Sequence, residues 1–425
     1  MDAPVAPSST SSPLTLQSSA GQWSVVGEGF TLAFSEDAGT IASLTVDGKE
    51  LIQAGPKLNM WRGATDNDLN TWGDQKAAIR WREVGLDQLE EHVDGVEAVQ
   101  VDADKIQFRV RTFSTAQIDV NAIAAQRWQE MQGQLAGLLG HMLDEQALQT
   151  VSLRLGLNYV DLAGGSQHER ARSLVTVLAD RERIPDLLKL IHELSQGPLS
   201  ELPHDVKEQI RHSMNKTQAE LAASSGPKSA ARFDTEYVYT VLGNGDILID
   251  THIIPGGDQP PFLPRVGLTV TAPAGYDTLH WYGRGPHESY ADRKQSAPVG
   301  VYAGKVAEQI FPYIYPQESG NKSDVRWAAL TDAAGNGFAV SRVDDSGEEA
   351  YFDVSARHCT DKELDAARHT YEVPQHDEVF FNIDYAQGGL GNGSCGPGVL
   401  PQYQLKPEEV RFQIRLRPLK AGKRW

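Results

Sequence analysis

The stretch most informative about the fold is Trp281-Tyr-Gly-Arg-Gly-Pro-His-Glu-Ser-Tyr-Ala-Asp-Arg-Lys294. It combines aromatic residues, a Gly-Arg-Gly-Pro turn, two carboxylates and three cationic side chains. Aromatic side chains beside Asp, Glu, His and Arg line many sugar and anion sites. A strand end and turn held by ion pairs explains the same residues, and the segment alone leaves both interpretations open.

The sequence on both sides of the middle region has the two-residue alternation of half-buried β-strands. Residues 105–113 alternate strictly between polar and apolar side chains. Residues 236–242 and 247–253 predict a hairpin across Gly243-Asn-Gly-Asp246, and residues 41–51 predict another with an Asp-Gly turn. These patterns predict a mainly β protein.

Residues 119–229 change to the three- and four-residue spacing of helices. Apolar residues recur in this way within 128–142, 174–178 and 187–194, and Pro185 lies near the start of the third helix, where proline is tolerated. Residues 203–221 predict one more amphipathic helix. Because strands precede and follow this region, we interpret it as an insertion, which places strand 105–113 beside strand 236–242. Three independent domains in series are the alternative.

The predicted domains are a disordered leader at residues 1–21, a β-sandwich in two parts at 22–118 and 230–425, and an inserted α-helical domain at 119–229. The leader is rich in Ser, Pro and Thr, and it lacks the basic and apolar regions of a secretory signal.

The composition argues against several classes of protein. The 425 residues include 57 acidic and 39 basic ones, for a net charge of -18, whereas nucleic-acid binders are usually basic. No apolar run approaches the ~20 residues of a membrane span. The two cysteines, Cys359 and Cys395, fit a reduced cytoplasmic protein without a disulfide scaffold. No nucleotide-binding fingerprint or zinc-binding Cys pair is present, so we expect no cofactor and no metal.

Four ordered motifs resemble the C-terminal β-sandwich of glycoside hydrolase family 2 β-galactosidases, the small-chain domain or domain 5. The motifs are Trp61-Arg-Gly-Ala-Thr-Asp-Asn-Asp68, Trp281 to Lys294, Pro312-Tyr-Ile-Tyr-Pro-Gln-Glu-Ser-Gly-Asn-Lys-Ser-Asp-Val-Arg-Trp327, and Asn382-Ile-Asp-Tyr385 with Gly388-Gly-Leu-Gly-Asn-Gly-Ser-Cys395. Ser319 stands where the family usually has Asn. The resemblance implies a galactose mutarotase-like supersandwich, here interrupted by the inserted α-helical bundle.

The same resemblance implies a supporting component and not a complete catalyst. Retaining glycosidases need two carboxylates about 5 Å apart, and in the family both lie in a (β/α)₈ barrel that precedes this domain. No repeating βα pattern appears here, so no catalytic residue is assigned. The resemblance implies that the chain supports hydrolysis of terminal β-galactosides by a catalytic family 2 chain or through self-association. The alternatives are a non-catalytic carbohydrate-binding module, an adaptor, and a mutarotase-like epimerase.

The helical region carries a resemblance of its own. Residues 153–165, 171–175 and 184–194 resemble the effector-associated, death-like adaptor domains of bacterial conflict proteins, which bind like domains. This resemblance implies a partner for the helical domain, and an unrelated helical bundle is the alternative.

The candidate substrate-binding residues are His287, Glu288, Glu318 and Cys395. Glu318 follows two tyrosines and is suited to accept hydrogen bonds from sugar hydroxyls, and in mutarotase-like proteins a Glu and a His transfer protons, which makes His287 and Glu318 a pair to test. Some family members have Trp at the position of Cys395, and the thiol removes that stacking face. A buried thiol in a glycine-rich turn is the alternative.

The remaining motif residues are assigned structural roles. We expect Glu288, Asp292 and Arg293 to form a buried ion-pair set that holds the turn. Asp66, Asn67 and Asp68 carry oxygen ligands for a cation, but such residues more often cap turns. The full structural set is Trp61, Arg62, Asp66, Asn67, Asp68, Arg284, Asp292 and Arg293.

Overall fold

The computed structural model describes residues 12–70, 75–196, 227–343 and 349–422. The chain forms two compact units, one from residues 1–118 and 230–425 and the other from residues 119–229. Within the described residues the strands are β1 (Thr15–Ser19), β2 (Gln22–Gly27), β3 (Phe30–Ser35), β4 (Thr40–Val46), β5 (Lys49–Ile52), β6 (Ala54–Asn59), β7 (Glu90–Asp102), β8 (Lys105–Thr115), β9 (Ala231–Leu242), β10 (Ile247–Gly257), β11 (Arg265–Ala272), β12 (Thr278–Arg284), β13 (Val299–Lys305), β14 (Lys322–Val325), β15 (Trp327–Thr331), β16 (Gly337–Val343), β17 (Glu349–Ala350), β18 (Phe352–Arg357), β19 (Val379–Gln387) and β20 (Val410–Leu419). The helices are α1 (Ala77–Glu83), α2 (Val120–Met142), α3 (Glu145–Arg154), α4 (Gln167–Asp180), α5 (Ile184–Gln196) and α6 (Asp361–Ala366).

The β unit contains three antiparallel sheets. The first is a meander in the order β1-β2-β3-β4-β5. The second follows the order β13-β12-β15-β16-β20-β10-β9-β8-β7, with β17 paired to β16. The third has the order β14-β18-β19-β11-β6. The predicted mainly β fold class is therefore confirmed.

One hydrophobic core joins the three sheets. Phe34 of β3 stacks on Phe108 of β8 with ring centroids 4.2 Å apart, and Phe338 of β16 meets Phe381 of β19 edge-on at 6.0 Å. Aromatic pairs of this kind stabilise beyond the area that they bury. The core explains why the strands alternate, because each inward residue faces another sheet.

The expected pairing across the helical region is confirmed. β8 and β9 pair antiparallel from Lys105 opposite Leu242 to Thr115 opposite Arg232. The sheet is therefore continuous although 115 residues lie between Thr115 and Ala231 in sequence. The hairpins β9–β10 and β4–β5 also form as predicted, the second across Asp47 and Gly48, both at positive φ.

The expected disorder of residues 1–21 is wrong for the end of that segment. Thr15–Ser19 form β1, which pairs with β2, and Leu14 is buried in the core. Ser and Thr are compatible with an edge strand whose side chains face water, so their abundance concealed the strand. Residues 1–11 lie outside the described part of the chain.

The second unit, taken by itself, is helical. The apolar residues of the predicted helices lie in α2, α4 and α5 and form one core with α3. Asp119 and Asp144 cap the N-termini of α2 and α3, and Ser166 with Glu169 forms a capping box on α4. The helix predicted at residues 203–221 lies outside the described residues. None of the described helices is long and apolar enough to cross a membrane.

Candidate functional site

The four sequence motifs meet around one loop of the β unit, the glycine loop, which we define as residues 388–398. Glu318 donates its backbone N–H to the carbonyl of Gly63 at 3.0 Å, which joins the third motif to the first. Ser289 donates its backbone N–H to Asn321 O at 2.8 Å, which joins the second to the third. Contacts from the first and second motifs to the glycine loop bring the fourth motif to the same place.

Arg62 and Asp68 form a buried ion pair that holds the start of the glycine loop. Arg62 Nη2 lies 2.8 Å from Asp68 Oδ1, and both side chains are shielded from solvent. The same guanidinium donates to the carbonyls of Gly388 at 2.7 Å and Gly389 at 3.2 Å. Because the guanidinium is a rigid planar fork, it fixes both partners in one geometry. Asp68 also accepts the N–H of Thr65 at 3.0 Å, which agrees with the predicted turn-capping role.

Asn67 and Asp66 extend these contacts toward the surface. Asn67 Nδ2 donates to Gly391 O at 2.8 Å, and its Oδ1 accepts from Ser394 N at 3.0 Å and Ser394 Oγ at 2.8 Å. Asp66 is exposed and accepts from Gln317 Nε2 at 3.3 Å. Among the described residues no group of three or more His, Cys, Asp or Glu is arranged to hold a metal ion.

Asp292 and Arg293 hold the glycine loop from the other side, which corrects the predicted ion-pair set. Asp292 accepts the backbone N–H of Leu390 at 3.1 Å and of Gly391 at 2.7 Å, and Arg293 donates to Gly391 O. The third member of the predicted set, Glu288, accepts hydrogen bonds from Tyr313 and Gly320 instead. A carboxylate has two oxygens and can accept hydrogen bonds from two consecutive backbone N–H groups. Asp292 therefore binds the glycine loop and not the neighbouring Arg293.

Arg284 closes the Gly-Arg-Gly-Pro turn. It donates to the carbonyls of Lys294 at 3.0 Å and Ala297 at 3.1 Å, and it pairs with Asp324. Burial raises the pKa of Asp324, but hydrogen bonds from Lys294 and Arg284 outweigh burial and keep this pKa below its usual value. The interpretation of this segment as a turn held by ion pairs is therefore supported at Arg284.

Glu318 lies in the interior and is paired with cations. Its side chain is fully buried, Arg357 Nη2 donates to it at 2.6 Å, and Tyr290 donates its hydroxyl at 3.3 Å. Arg265 Nη2 lies 3.6 Å from its other oxygen. Because Glu318 has these partners and no exposed surface, the structure does not place it where it would meet a sugar.

The cations around Glu318 belong to a larger buried network that the sequence analysis missed. Arg265 lies 2.5 Å from Asp361 Oδ2 and 3.0 Å from Asp384 Oδ2. Burial raises the pKa of Asp361, but Arg265 and Arg357 outweigh burial and hold this pKa below its usual value. Asp384 differs, because burial raises its pKa well above the usual value and nearby carboxylates add to the effect of burial. Two arginines therefore serve three carboxylates in this network.

The sequence feature that could have indicated this network is the presence of charged residues within apolar strands. Arg265 opens the apolar strand β11, and Arg357 ends β18. Asp384 lies within the Asn382-Ile-Asp-Tyr motif on β19. A charge in an element buried on both faces needs a partner of opposite charge. The sequence does not indicate which distant residue that partner is.

His287 and Glu288 occupy different environments. His287 is exposed, with Nε2 3.0 Å from Ser296 Oγ. Glu288 is half-buried and accepts from Tyr313 OH at 3.0 Å and from Gly320 N at 2.7 Å. Burial, assisted by Glu288, raises the pKa of Tyr313 to about 12. Since His287 is exposed and Glu318 is buried with other partners, the structure offers no support for the proton-transfer pair.

Trp61 and Cys395 complete the predicted residues. Trp61 is buried and meets Trp81 edge-on with ring centroids 6.0 Å apart, which is a packing role. Cys395 is exposed, so the buried-thiol alternative is wrong for this residue. Burial instead applies to Cys359, where it raises the pKa of the thiol to about 11.

A cleft of about 310 Å³ lies between the glycine loop and the first motif. Its lining includes Asn67, Asp68, Gln75, Lys76, Gly393 and Gly398. A Cβ at Gly393 would lie 2.9 Å from Asn67 O, so only glycine permits this approach of the two backbones. Gln75 accepts Val399 N at 2.8 Å and donates to Val399 O at 2.7 Å, which fixes the far end of the loop. The cleft thus presents amide, ammonium and backbone polar groups beside apolar side chains such as Leu390 and Val399.

Comparisons with known proteins agree with the four motifs. The model of a family described as "Beta galactosidase small chain" matches residues 26–156 and 190–416, and that of "Effector-associated domain 7" matches residues 135–195. The β-galactosidase of Priestia megaterium is 39% identical over 168 residues, covering 39% of this chain and 16% of that protein. The β-galactosidase of Kluyveromyces lactis is 33% identical over 184 residues, covering 43% of this chain and 17% of that protein. The chain thus matches only a small part of the length of these relatives.

Two solved structures are similar to the chain at low TM-scores. A galactose 1-epimerase from Lactobacillus acidophilus has a TM-score of 0.36 at 7% identity, covering 95% of each chain. A homologue of GalM/aldose epimerase from Caenorhabditis elegans has a TM-score of 0.34 at 8% identity, covering 93% of this chain and 97% of that one.

Proposed function

Because the chain belongs to the β-galactosidase small-chain family, we propose that it supports the hydrolysis of terminal β-galactosides by a catalytic barrel outside the described residues. The match of the family over residues 26–156 and 190–416 carries this proposal. The matched residues include the four motifs that meet at the glycine loop. Relatives named β-galactosidase that are 33–39% identical to about two fifths of this chain support the same substrate class.

The proposed contribution of this chain is positional. A retaining glycosidase needs two carboxylates about 5 Å apart on either side of the sugar bond. The buried carboxylates described above are paired with arginines in the interior, which leaves them unsuited to that role. The rigid glycine loop and its cleft instead offer a wall of fixed donors and acceptors, which would orient a galactoside presented by the barrel. Fixed polar groups in such positions lower the entropic cost of orienting a substrate.

Coexpression tests this proposal. We expect the chain, produced together with the large chain of a two-chain family 2 β-galactosidase, to raise hydrolysis of a β-galactoside above the level of either chain alone. The two chains should also elute together from a sizing column. If neither the activity nor the elution changes, the proposal is wrong. Binding of galactose by the isolated chain without any gain in hydrolysis would favour the carbohydrate-binding module.

The helical unit supports a second, additional role. Its match to effector-associated domain 7 over residues 135–195 favours recruitment of a partner through this unit. We expect deletion of residues 119–229, with β8 and β9 joined by a short turn, to remove such a partner from a pull-down. The β unit should keep its cooperative unfolding transition, because β8 and β9 are direct neighbours. Retention of every partner by the deletion variant would contradict the adaptor role.

A further inference from the structure

The β unit carries a group of large apolar side chains, which we name the apolar patch and define as the exposed Phe311, Ile314 and Tyr371 with the half-buried Tyr315. Ile314 is 92% exposed, Tyr371 81% and Phe311 59%, the three highest values for large apolar side chains in the described part of the β unit. Single exposed apolar residues are ordinary, but a contiguous group usually marks an interaction surface.

Tyr315 and Tyr371 of the apolar patch each contact a residue of the Arg368-His369 pair. Arg368 Nη1 donates to Tyr315 OH at 2.7 Å, and its guanidinium lies 5.7 Å from the centre of the Tyr315 ring. His369 follows in sequence, and its ring stacks on Tyr371 with centroids 5.2 Å apart. The contact between Arg368 and Tyr315 therefore places the segment that carries Tyr371 beside the segment that carries Ile314.

Hydrogen bonds restrain the segment beneath the apolar patch, although the outermost side chains of the patch are exposed to water. Tyr313 points its hydroxyl at Glu288, at 3.0 Å, and Phe311 donates its N–H to Ser319 Oγ at 3.1 Å. Pro312 and Pro316 restrict the backbone on either side of the tyrosines. These restraints on the backbone beneath the apolar patch reduce the conformational entropy that is lost when a partner binds.

The apolar patch also continues into the candidate site. Gln317 Nε2 donates to Tyr315 O at 3.1 Å, and Gln317 Oε1 accepts Asp66 N at 3.2 Å. Asp66 precedes Asn67, whose side chain holds the glycine loop. A partner that completes the cleft is therefore in reach of the apolar patch.

We infer that the apolar patch is the surface on which the catalytic chain of a β-galactosidase docks, an inference that rests on the proposed function. The region matched by this chain makes up 16–17% of relatives that are named β-galactosidases, so in those proteins a much larger remainder accompanies it. The apolar patch is continuous with the cleft, and the wall of a galactoside site has to face the catalytic barrel. We therefore assign the catalytic part of such a protein as the partner that covers the apolar patch. Aromatic and aliphatic anchors on a rigid base are typical of the residues that dominate binding energy.

The double variant Ile314→Ser/Tyr371→Ser tests the surface. Binding of the purified full chain to the large chain of a two-chain family 2 β-galactosidase is measured by biolayer interferometry. We expect the dissociation constant to rise at least about tenfold, because two central anchors are removed. The matched control is Val99→Ser/Val301→Ser on the edge strands β7 and β13, where the valines are 52% and 41% exposed. The control should stay within about twofold of wild type.

The outcomes separate this inference from the proposed function. If wild type binds and the double variant binds equally well, the surface assignment is overturned while the proposed function stands. If wild type does not bind the large chain at all, the proposed function fails and this inference fails with it. If wild type is a dimer by sedimentation and the double variant is a monomer, a second copy of this chain covers the apolar patch, and the catalytic chain is excluded as its occupant.

Discussion

Replacement of Arg265 by methionine is expected to lower the free energy of unfolding by about 3–5 kcal/mol, the usual cost of leaving buried charges without their partner. Arg265 is fully buried and contacts Asp361 at 2.5 Å, Asp384 at 3.0 Å and Glu318 at 3.6 Å. Methionine fills much of the same volume but carries no charge. Arg357 would then be left to balance both Glu318 and Asp361. Urea denaturation monitored by tryptophan fluorescence measures the change.

The matched control for Arg265 is Arg109→Met. Arg109 is exposed on β8, so its replacement should change the free energy of unfolding by no more than about 0.5 kcal/mol. Arg265→Lys keeps the positive charge but loses the fork that reaches three carboxylates, and it should fall between the two. An Arg265→Met protein as stable as the control would show that the network contributes no net stability.

The parts of the fold that were predictable are those with local causes. The alternation within β8 and β9 follows from one face of each strand packing on the core, so their pairing could be inferred from either side of the helical region. The Asp47-Gly48 turn and the capped helices likewise depend on neighbouring residues. β1 was missed because its exposed Ser and Thr side chains resemble a disordered segment, although its backbone pairs with β2.

The parts of the candidate site that were not predictable have causes distant in sequence. Glu318 looked available to a sugar because two tyrosines precede it, but Arg357 and Arg265 reach it from other strands. Asp292 was expected to pair with its neighbour Arg293, yet it accepts N–H groups from the glycine loop. In each case a motif indicated that the side chain is restrained, while the identity of its partner depended on how the sheets pack.

The meeting of the four motifs at the glycine loop explains why many of their charged residues have structural roles. A glycine-rich loop has high conformational freedom, so one rigid position requires many restraints. Arg62, Asn67, Asp292 and Arg293 each bond to the backbone of the glycine loop. The motifs thus encode the position of the cleft wall, and the wall is what the proposed function needs.

Replacement of Arg62 by methionine is expected to lower the free energy of unfolding by about 3–5 kcal/mol, because Asp68 is then buried without its cation. The substitution also removes the donors to Gly388 O and Gly389 O. We therefore expect faster hydrogen–deuterium exchange at the amides of Leu390 and Gly391. In the coexpression assay the gain in β-galactoside hydrolysis should fall at least about tenfold, in line with the cost of misplacing a group that positions substrate.

The double variant Arg62→Met/Asp68→Leu separates stability from loop position. Replacing both members of a buried ion pair with apolar residues is often neutral for stability, so much of the lost free energy of unfolding should return. The carbonyls of Gly388 and Gly389 still lack their donors in this variant, and the exchange at Leu390 and Gly391 should stay fast. Recovery of both stability and slow exchange would mean that Arg62 only neutralises Asp68. Recovery of stability alone assigns Arg62 to holding the glycine loop, and the exchange measurement gives that answer even if the large chain does not bind.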